Sequence, residues 1–254
     1  MAGRRQVIDP IHPAFGIGPS IDFVVERIEY RPQDAVRHFR AAAHLEPDSA
    51  PSHFNLGTAL TVAGDYESAV LEYQRALSIR KDYPQAHNNL ASIFLQTGKV
   101  AAALSHLNEA IRLDPKNAQA QYNAGIASLR QGRHAEAIDH LKRAVQLTPD
   151  ATSALVDLAW LLAAVPEESL RDPGLAVRLA ERAVATTNHR DPSALDALAA
   201  AQASNNDFAR AVDTADAALA LVPRNPDAVT STLASAMTAR RDGYRRKQAF
   251  RLPQ

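Results

Sequence analysis

Four polar side chains recur at a fixed spacing and are the strongest candidates for binding chemistry in this sequence. They form what we call the asparagine ladder, whose consecutive members lie 34 residues apart: Asn55, Asn89, Asn123 and Asp157. A side-chain amide offers both N–H donors and an acceptor oxygen. It can therefore pair with the main chain of a bound peptide, whatever the sequence of that peptide.

The residues directly before the ladder asparagines extend the candidate site, and they are Phe54, Asn88 and Tyr122. Large aromatic side chains anchor many interfaces, although they also pack between helices. The asparagines have a second interpretation too, since a polar side chain can shape the surface of a helix without binding anything. Both alternatives stay open at the level of the sequence.

The nine histidines raise the question of a metal site. His53 and His87 share one phase of the 34-residue spacing, and His106 and His140 share another. The sequence has no cysteine and no pair of histidines at helical ligand spacing, so we expect no metal. It also lacks a glycine-rich phosphate loop and a recognisable nucleophile–base motif. We therefore expect a non-enzymatic protein without a cofactor.

The elements that position these side chains follow the same period. Small residues recur two positions after each ladder residue, where they let two helices approach closely: Gly57, Ala91, Gly125 and Ala159. Glycines then follow at positions suited to the left-handed residue that ends a helix: Gly64, Gly98 and Gly132. A second helical stripe of apolar residues comes next and stops at a proline turn. This period predicts stacked repeats of helix, turn and helix.

The segments Phe54-Asn55-Leu56-Gly57, Gly64-Asp65-Tyr66 and Ala69…Tyr73…Ala76 resemble the signature of the tetratricopeptide repeat (TPR) family, of bacterial type. The resemblance implies an all-α fold: a right-handed α-solenoid of stacked TPR helical hairpins with a C-terminal capping helix. It also implies that the ladder phase lines the concave groove. Packed helices lie about 8–10 Å apart and an extended peptide advances about 3.3 Å per residue. One asparagine would then meet the peptide main chain at about every third residue.

The repeats predict the organisation of the whole chain. We expect a flexible N-terminal segment over 1–19, a TPR solenoid over 20–225, and a capping helix with a basic tail over 226–254. The predicted hairpins cover about 20–49, 50–83, 84–117, 118–151, 152–191 and 192–225. The hairpin over 152–191 carries a loop insertion at Val165–Pro173. Such an insertion often lies on a binding face, but loop growth is also tolerated at little cost.

Composition limits the classes of function. Lys plus Arg and Asp plus Glu number 28 each, which argues against a nucleic-acid-binding surface. No apolar run reaches the roughly 20 residues of a membrane helix, so we expect no membrane insertion and a cytoplasmic location. One basic run near the C-terminus is interpreted as a solvated tail: Arg240, Arg241, Arg245, Arg246, Lys247 and Arg251.

The sequence therefore predicts a protein–protein interaction scaffold that binds an extended peptide segment of a partner in the concave TPR groove. The alternative is a regulatory or substrate-presenting TPR region related to a glycosyltransferase or another larger enzyme. A third hypothesis is self-association into a homo-oligomer. The positions at which chaperone-binding TPRs carry lysines hold neither Lys nor Arg here, which argues against recognition of a chaperone's C-terminal carboxylate.

Overall fold

The protein is described by a computed structural model that covers residues 32–223 and 228–252. The described residues form twelve α-helices and no strand. They are α1 Pro32–Leu45, α2 Ala50–Val62, α3 Tyr66–Ile79, α4 Pro84–Gln96, α5 Val100–Leu113, α6 Ala118–Arg130, α7 His134–Leu147, α8 Thr152–Ala164, α9 Pro173–Thr186, α10 Pro192–Ser204, α11 Phe208–Ala220 and α12 Ala228–Arg245. The helix predicted to begin the hairpin over 20–49 lies outside the described residues.

The chain divides into two compact units between Leu147 and Thr148. In the first unit, α2 packs on α3, α4 on α5 and α6 on α7, and the first helices of successive hairpins also touch each other. In the second unit, α8 pairs with α9 and α10 with α11, while α12 packs on α11 and α10. The all-α prediction of consecutive helical hairpins is confirmed.

The turns within the hairpins have the backbone conformation that the sequence predicted. Gly64, Gly98 and Gly132 have φ of 81°, 74° and 70°, a region that glycine enters without a steric cost. In the α10–α11 hairpin Asn206 takes this place with φ of 62°. The side chain of Asp65 then accepts a hydrogen bond from the Ser68 N–H at 3.1 Å, which caps α3.

Small residues bring the two helices of a hairpin together. A Cβ atom added to Gly57 would lie 2.9 Å from the ring of Tyr73, and one added to Gly125 would lie 2.8 Å from Cγ of Leu141. Alanines of the second helices are buried against the first helices, at Ala69, Ala76, Ala103, Ala110, Ala137 and Ala144. This close packing fixes the first helix of each of these hairpins relative to the second.

The inserted loop contains a 3-10 turn at Glu168–Leu170. Asp172 caps α9 by accepting from the Leu175 N–H at 2.9 Å, and Pro173 is the first helical residue, as the sequence predicted.

Candidate functional site

The first unit places three members of the asparagine ladder on the first helices of successive hairpins. Asn55 lies on α2, Asn89 on α4 and Asn123 on α6. Their environments differ, because Asn55 is exposed, Asn89 is half-buried and Asn123 is only 1% exposed. The sequence predicted three equivalent side chains, whereas the structure gives a gradient from solvent to core.

Asn123 and Asn88 join two hairpins through their side chains. The amide nitrogen of Asn123 donates to Oδ1 of Asn88 at 3.0 Å, and Oδ1 of Asn123 accepts from Nε2 of Gln119 at 3.1 Å. Asn88 is only 7% exposed, so this pairing supplies a partner to polar atoms that water hardly reaches. Asn123 therefore holds α6 against α4.

Asn89 continues this chain of hydrogen bonds toward α2. Its Oδ1 accepts from Nδ2 of Asn88 at 3.4 Å, and its Nδ2 donates to the hydroxyl of Tyr73 at 3.3 Å. Tyr73 in turn donates to Oγ1 of Thr58 at 3.2 Å, and Thr58 donates to the carbonyl of Phe54 at 3.0 Å. Donors and acceptors alternate along the whole path, which fixes the orientation of each amide. We call this path from Gln119 to Phe54 the amide chain.

Each amide retains capacity for a ligand where solvent can reach it. An asparagine amide has two N–H donors and a carbonyl oxygen with two lone pairs. Within the amide chain Asn89 uses one N–H and one lone pair. Because Asn89 is half-buried and Asn55 is exposed, these two can contact an incoming main chain.

The two aromatic candidates also differ. Phe54 is half-buried, with its ring 5.8 Å from that of Tyr73 and 4.9 Å from that of Tyr83. The guanidinium of Arg80 covers the Tyr83 ring at 3.4 Å from its centroid. Tyr122 is only 9% exposed. An aromatic surface is therefore accessible beside Asn55, while Tyr122 belongs largely to the interior.

Asp157 lies on α8 of the second unit and is fully buried, at 0% exposure. A second buried carboxylate, Asp196 on α10, pairs with the guanidinium of Arg240 on α12 at 3.2 and 2.5 Å. Arg240 is itself only 7% exposed, so the interpretation of this residue as part of a solvated basic tail is wrong. No periodic signal marks the pair, since Arg240 lies outside the repeats.

Histidines that share a repeat position, His53 with His87 and His106 with His140, do not contact each other through the hydrogen bonds that the structure shows for them. Instead, on α2, α4 and α6 the residue at the fourth helical position contacts a residue 19 positions later, on the second helix of its hairpin. Nδ1 of His53 lies 2.7 Å from Glu72, Nδ1 of His87 lies 2.9 Å from Nδ1 of His106, and Oε1 of Gln121 lies 2.8 Å from Nδ1 of His140. Burial lowers the pKa of His106, and His87 lowers it further.

The described residues contain neither a metal-binding group of side chains nor a membrane-spanning helix. Over 32–223 and 228–252, no three His, Cys, Asp or Glu side chains are grouped as ligands of a metal ion. Within the same ranges, no helix has the length and apolar character needed to cross a bilayer.

Helix pairs that repeat in this way, with their first helices in contact, define the class of helical repeat proteins. Two family models match parts of the chain. A family model described as tetratricopeptide repeat matches residues 88–152, and another described as TPR repeat matches residues 59–98. Residues 59–152 therefore carry tetratricopeptide repeats, and repeats of this kind support a scaffold for protein interactions. No curated protein matches the sequence.

Solved structures of TPR proteins have the same fold. YrrB, described as a TPR protein with an unusual peptide-binding site, is 18% identical, with a TM-score of 0.63 over 81% of this chain and 100% of that one. PilF of Pseudomonas aeruginosa is 19% identical, with a TM-score of 0.65 over 81% and 89% of the two chains. A thermophilic TPR protein of Thermus thermophilus is 21% identical, with a TM-score of 0.55 over 75% and 100%.

Proposed function

We propose that the protein is a non-enzymatic scaffold that binds an extended segment of a partner protein across the first helices of its first unit. The observation that carries this proposal is the amide chain, which holds Asn89 in a fixed orientation on α4. This helix contacts α2, on which Asn55 is exposed. Fixed amides bind with a smaller loss of conformational entropy than mobile ones.

The chemistry of this surface favours a peptide main chain as ligand. A peptide group carries one N–H and one C=O, which an asparagine amide can match with one acceptor and one donor. Asn55 and Asn89 make this contact. Phe54 adds an apolar surface for one side chain of the partner. Peptide binding by a TPR protein has a parallel in YrrB, whose description names a peptide-binding site.

The buried members of the predicted site have a positioning role in this proposal. Asn123 donates to Asn88 and Asn88 donates to Asn89, and these two hydrogen bonds fix the orientation of the Asn89 amide. Tyr122, which precedes Asn123 in the sequence, packs in the interior. Asp157 belongs to the second unit and is buried, so it is not part of the proposed surface.

The test is affinity capture from the native cell, followed by mass spectrometry, with three forms of the protein. The wild type is compared with the double variant Asn55→Ala, Asn89→Ala and with Asn108→Ala. Asn108 is a matched control because it is an exposed asparagine on the second helix α5. The proposal expects proteins that the wild type and Asn108→Ala retain and the folded double variant loses.

A peptide array then tests whether the bound segment is extended. Overlapping peptides of a captured protein are probed with the wild type and the double variant. One linear segment should bind the wild type and lose binding to the double variant. Equal capture by all three folded forms would contradict the proposal, as would a partner that binds only when it is folded.

A further inference from the structure

The chain returns to α8 after α12. At the end of α12 the N–H groups of Lys247 and Gln248 donate to the carbonyls of Tyr244 and Gly243 at 2.9 and 3.0 Å, and Lys247 adopts φ of 59°. Residues 248–252, which we call the tail, then reach the C-terminal end of α8. There the Leu252 N–H donates to the carbonyl of Ala164 at 2.7 Å.

The end of α8 offers carbonyl groups that the helix itself cannot satisfy. The last four carbonyls of a helix have no partner within it unless the chain continues, and Pro166 stops this one. The Val165 and Asp172 N–H groups take two of them, at Leu161 and Leu162. The tail takes the other two, since Arg251 donates to Ala163 at 3.3 Å and Leu252 donates to Ala164. A cation is also favoured at this end of a helix.

An aromatic anchor seats the tail. The ring of Phe250 meets that of Trp160 edge-on, with centroids 5.7 Å apart and planes at 89°. The guanidinium of Arg240 lies 5.1 Å from the centroid of Trp160 and 5.7 Å from that of Phe250. Asp196 holds this guanidinium in place, so Trp160 and Arg240 form a fixed seat for one aromatic side chain.

The tail is only partly buried, although Ala249 and Phe250 pack against a buried cluster that includes Tyr244. Phe250 and Leu252 are half-buried, and Arg251 is exposed. A space of about 440 Å³ remains between the tail and α12, where a core segment would pack closely.

We propose that Trp160, Arg240 and the C-terminal end of α8 form a second peptide-binding site, which the tail occupies in this structure. The external ligand is a segment of a partner protein with an aromatic, a basic and an aliphatic residue in succession, as in Phe250-Arg251-Leu252. This segment binds by displacing the tail. The site belongs to the second unit and does not depend on the asparagine ladder of the first.

The test uses the full chain and a labelled synthetic peptide with the sequence of residues 246–254. Phe250→Ala combined with Arg251→Ala removes the anchors of the tail and leaves the seat intact. Fluorescence anisotropy should show that this variant binds the peptide at least about tenfold more tightly than the wild type, because the tethered tail competes in the wild type. Arg246→Ala, which changes an exposed residue before the tail, should bind as weakly as the wild type.

Two further measurements make the result specific. Adding Trp160→Leu to the double variant should abolish peptide binding while circular dichroism shows a folded chain. In the wild type, hydrogen exchange should be much faster at the Leu252 amide than at the Trp160 amide, because the tail opens without unfolding of the unit.

Three outcomes would overturn the proposal. The first is a folded double variant that binds the peptide no better than the wild type. The second is exchange of the Leu252 amide as slow as that of the Trp160 amide, which would make the tail a permanent part of the core. The third is a wild-type dimer, seen by light scattering, that Phe250→Ala abolishes, because the occupant would then be the tail of a second copy.

Discussion

The side-chain amide of Asn123 donates to Oδ1 of Asn88 at 3.0 Å, across 35 positions of sequence and between two hairpins. Three ladder asparagines share one position in their repeats, yet this contact places Asn123 in the core while Asn55 stays in solvent. Asparagines at the same repeat position therefore differ in role. Asn123 is structural, whereas Asn55 is open to solvent.

Truncation of these two asparagines should separate the two roles. Asn123→Ala leaves Oδ1 of Asn88 without its donor, and we expect a loss of about 1–3 kcal/mol in the free energy of unfolding. Asn55→Ala removes only exposed atoms and should change this free energy by less than about 0.5 kcal/mol. Urea unfolding followed by circular dichroism measures both. Equal losses would contradict the assignment of Asn123 to the core.

The close approach of helices within a hairpin makes Gly57 sensitive to a single added carbon. Gly57→Ala would bring a Cβ to 2.9 Å from the ring of Tyr73, and we expect overpacking to cost about 1–3 kcal/mol. Gly174→Ala is the matched control, since its Cβ would meet its nearest neighbours at 3.7 Å. The control should be neutral or gain up to about 1 kcal/mol of helix propensity. Thermal unfolding that ranks the two in the opposite order would contradict this packing.

Stability should fall on mild acidification. Burial is the first cause that lowers the pKa of both His106 and His140 from 6.5. Between 6.5 and the lowered native pKa the unfolded chain binds more protons than the native one. The contribution of these two histidines to the free energy of unfolding is therefore complete above pH 6.5. It is lost as the pH falls through their native pKa. Urea midpoints at about pH 7.5 and about pH 5.5 should show this loss, and His106→Gln should reduce it. An unchanged pH dependence in that variant would contradict the assignment.

The buried pair of Arg240 and Asp196 should respond asymmetrically to substitution. Arg240→Met leaves a carboxylate at 0% exposure without its cation, and we expect a loss of about 3–5 kcal/mol. Adding Asp196→Leu should recover much of that loss, because no buried charge then remains. Denaturant unfolding of the wild type, both single variants and the double variant measures the coupling. Additive losses in the double variant would show that the pair does not act as a unit.

The repeat period was sufficient to predict the hairpins from α2 to α7. The left-handed residues at Gly64, Gly98 and Gly132, and the cap of α9 at Asp172, follow from local backbone chemistry that recurs along the chain. The pairing of Arg240 with Asp196 and the return of Leu252 to α8 have no periodic signature. They are contacts between distant segments, for which spacing carries no information.

The candidate site was only partly predictable for the same reason. The sequence placed the asparagines on equivalent helix positions, but burial depends on which neighbours each helix has. Asn123 lies on α6, whose residues from Ala120 to Ser128 are all buried, whereas Asn55 and Pro51 are exposed on α2. A periodic pattern gives every repeat the same environment, and only the structure distinguishes them.

The central claim is that a partner segment lies across the first helices of the first unit, beside Asn55 and Asn89. Site-specific photo-crosslinking tests it most directly. A photoreactive amino acid at Gln85, which lies one helical turn before Asn89, samples this surface, and one at Leu71, 65% exposed on the second helix α3, is the control. The account predicts crosslinks to one short partner segment from position 85 and none from position 71. Crosslinks from position 71 alone, with partner binding intact, would contradict it.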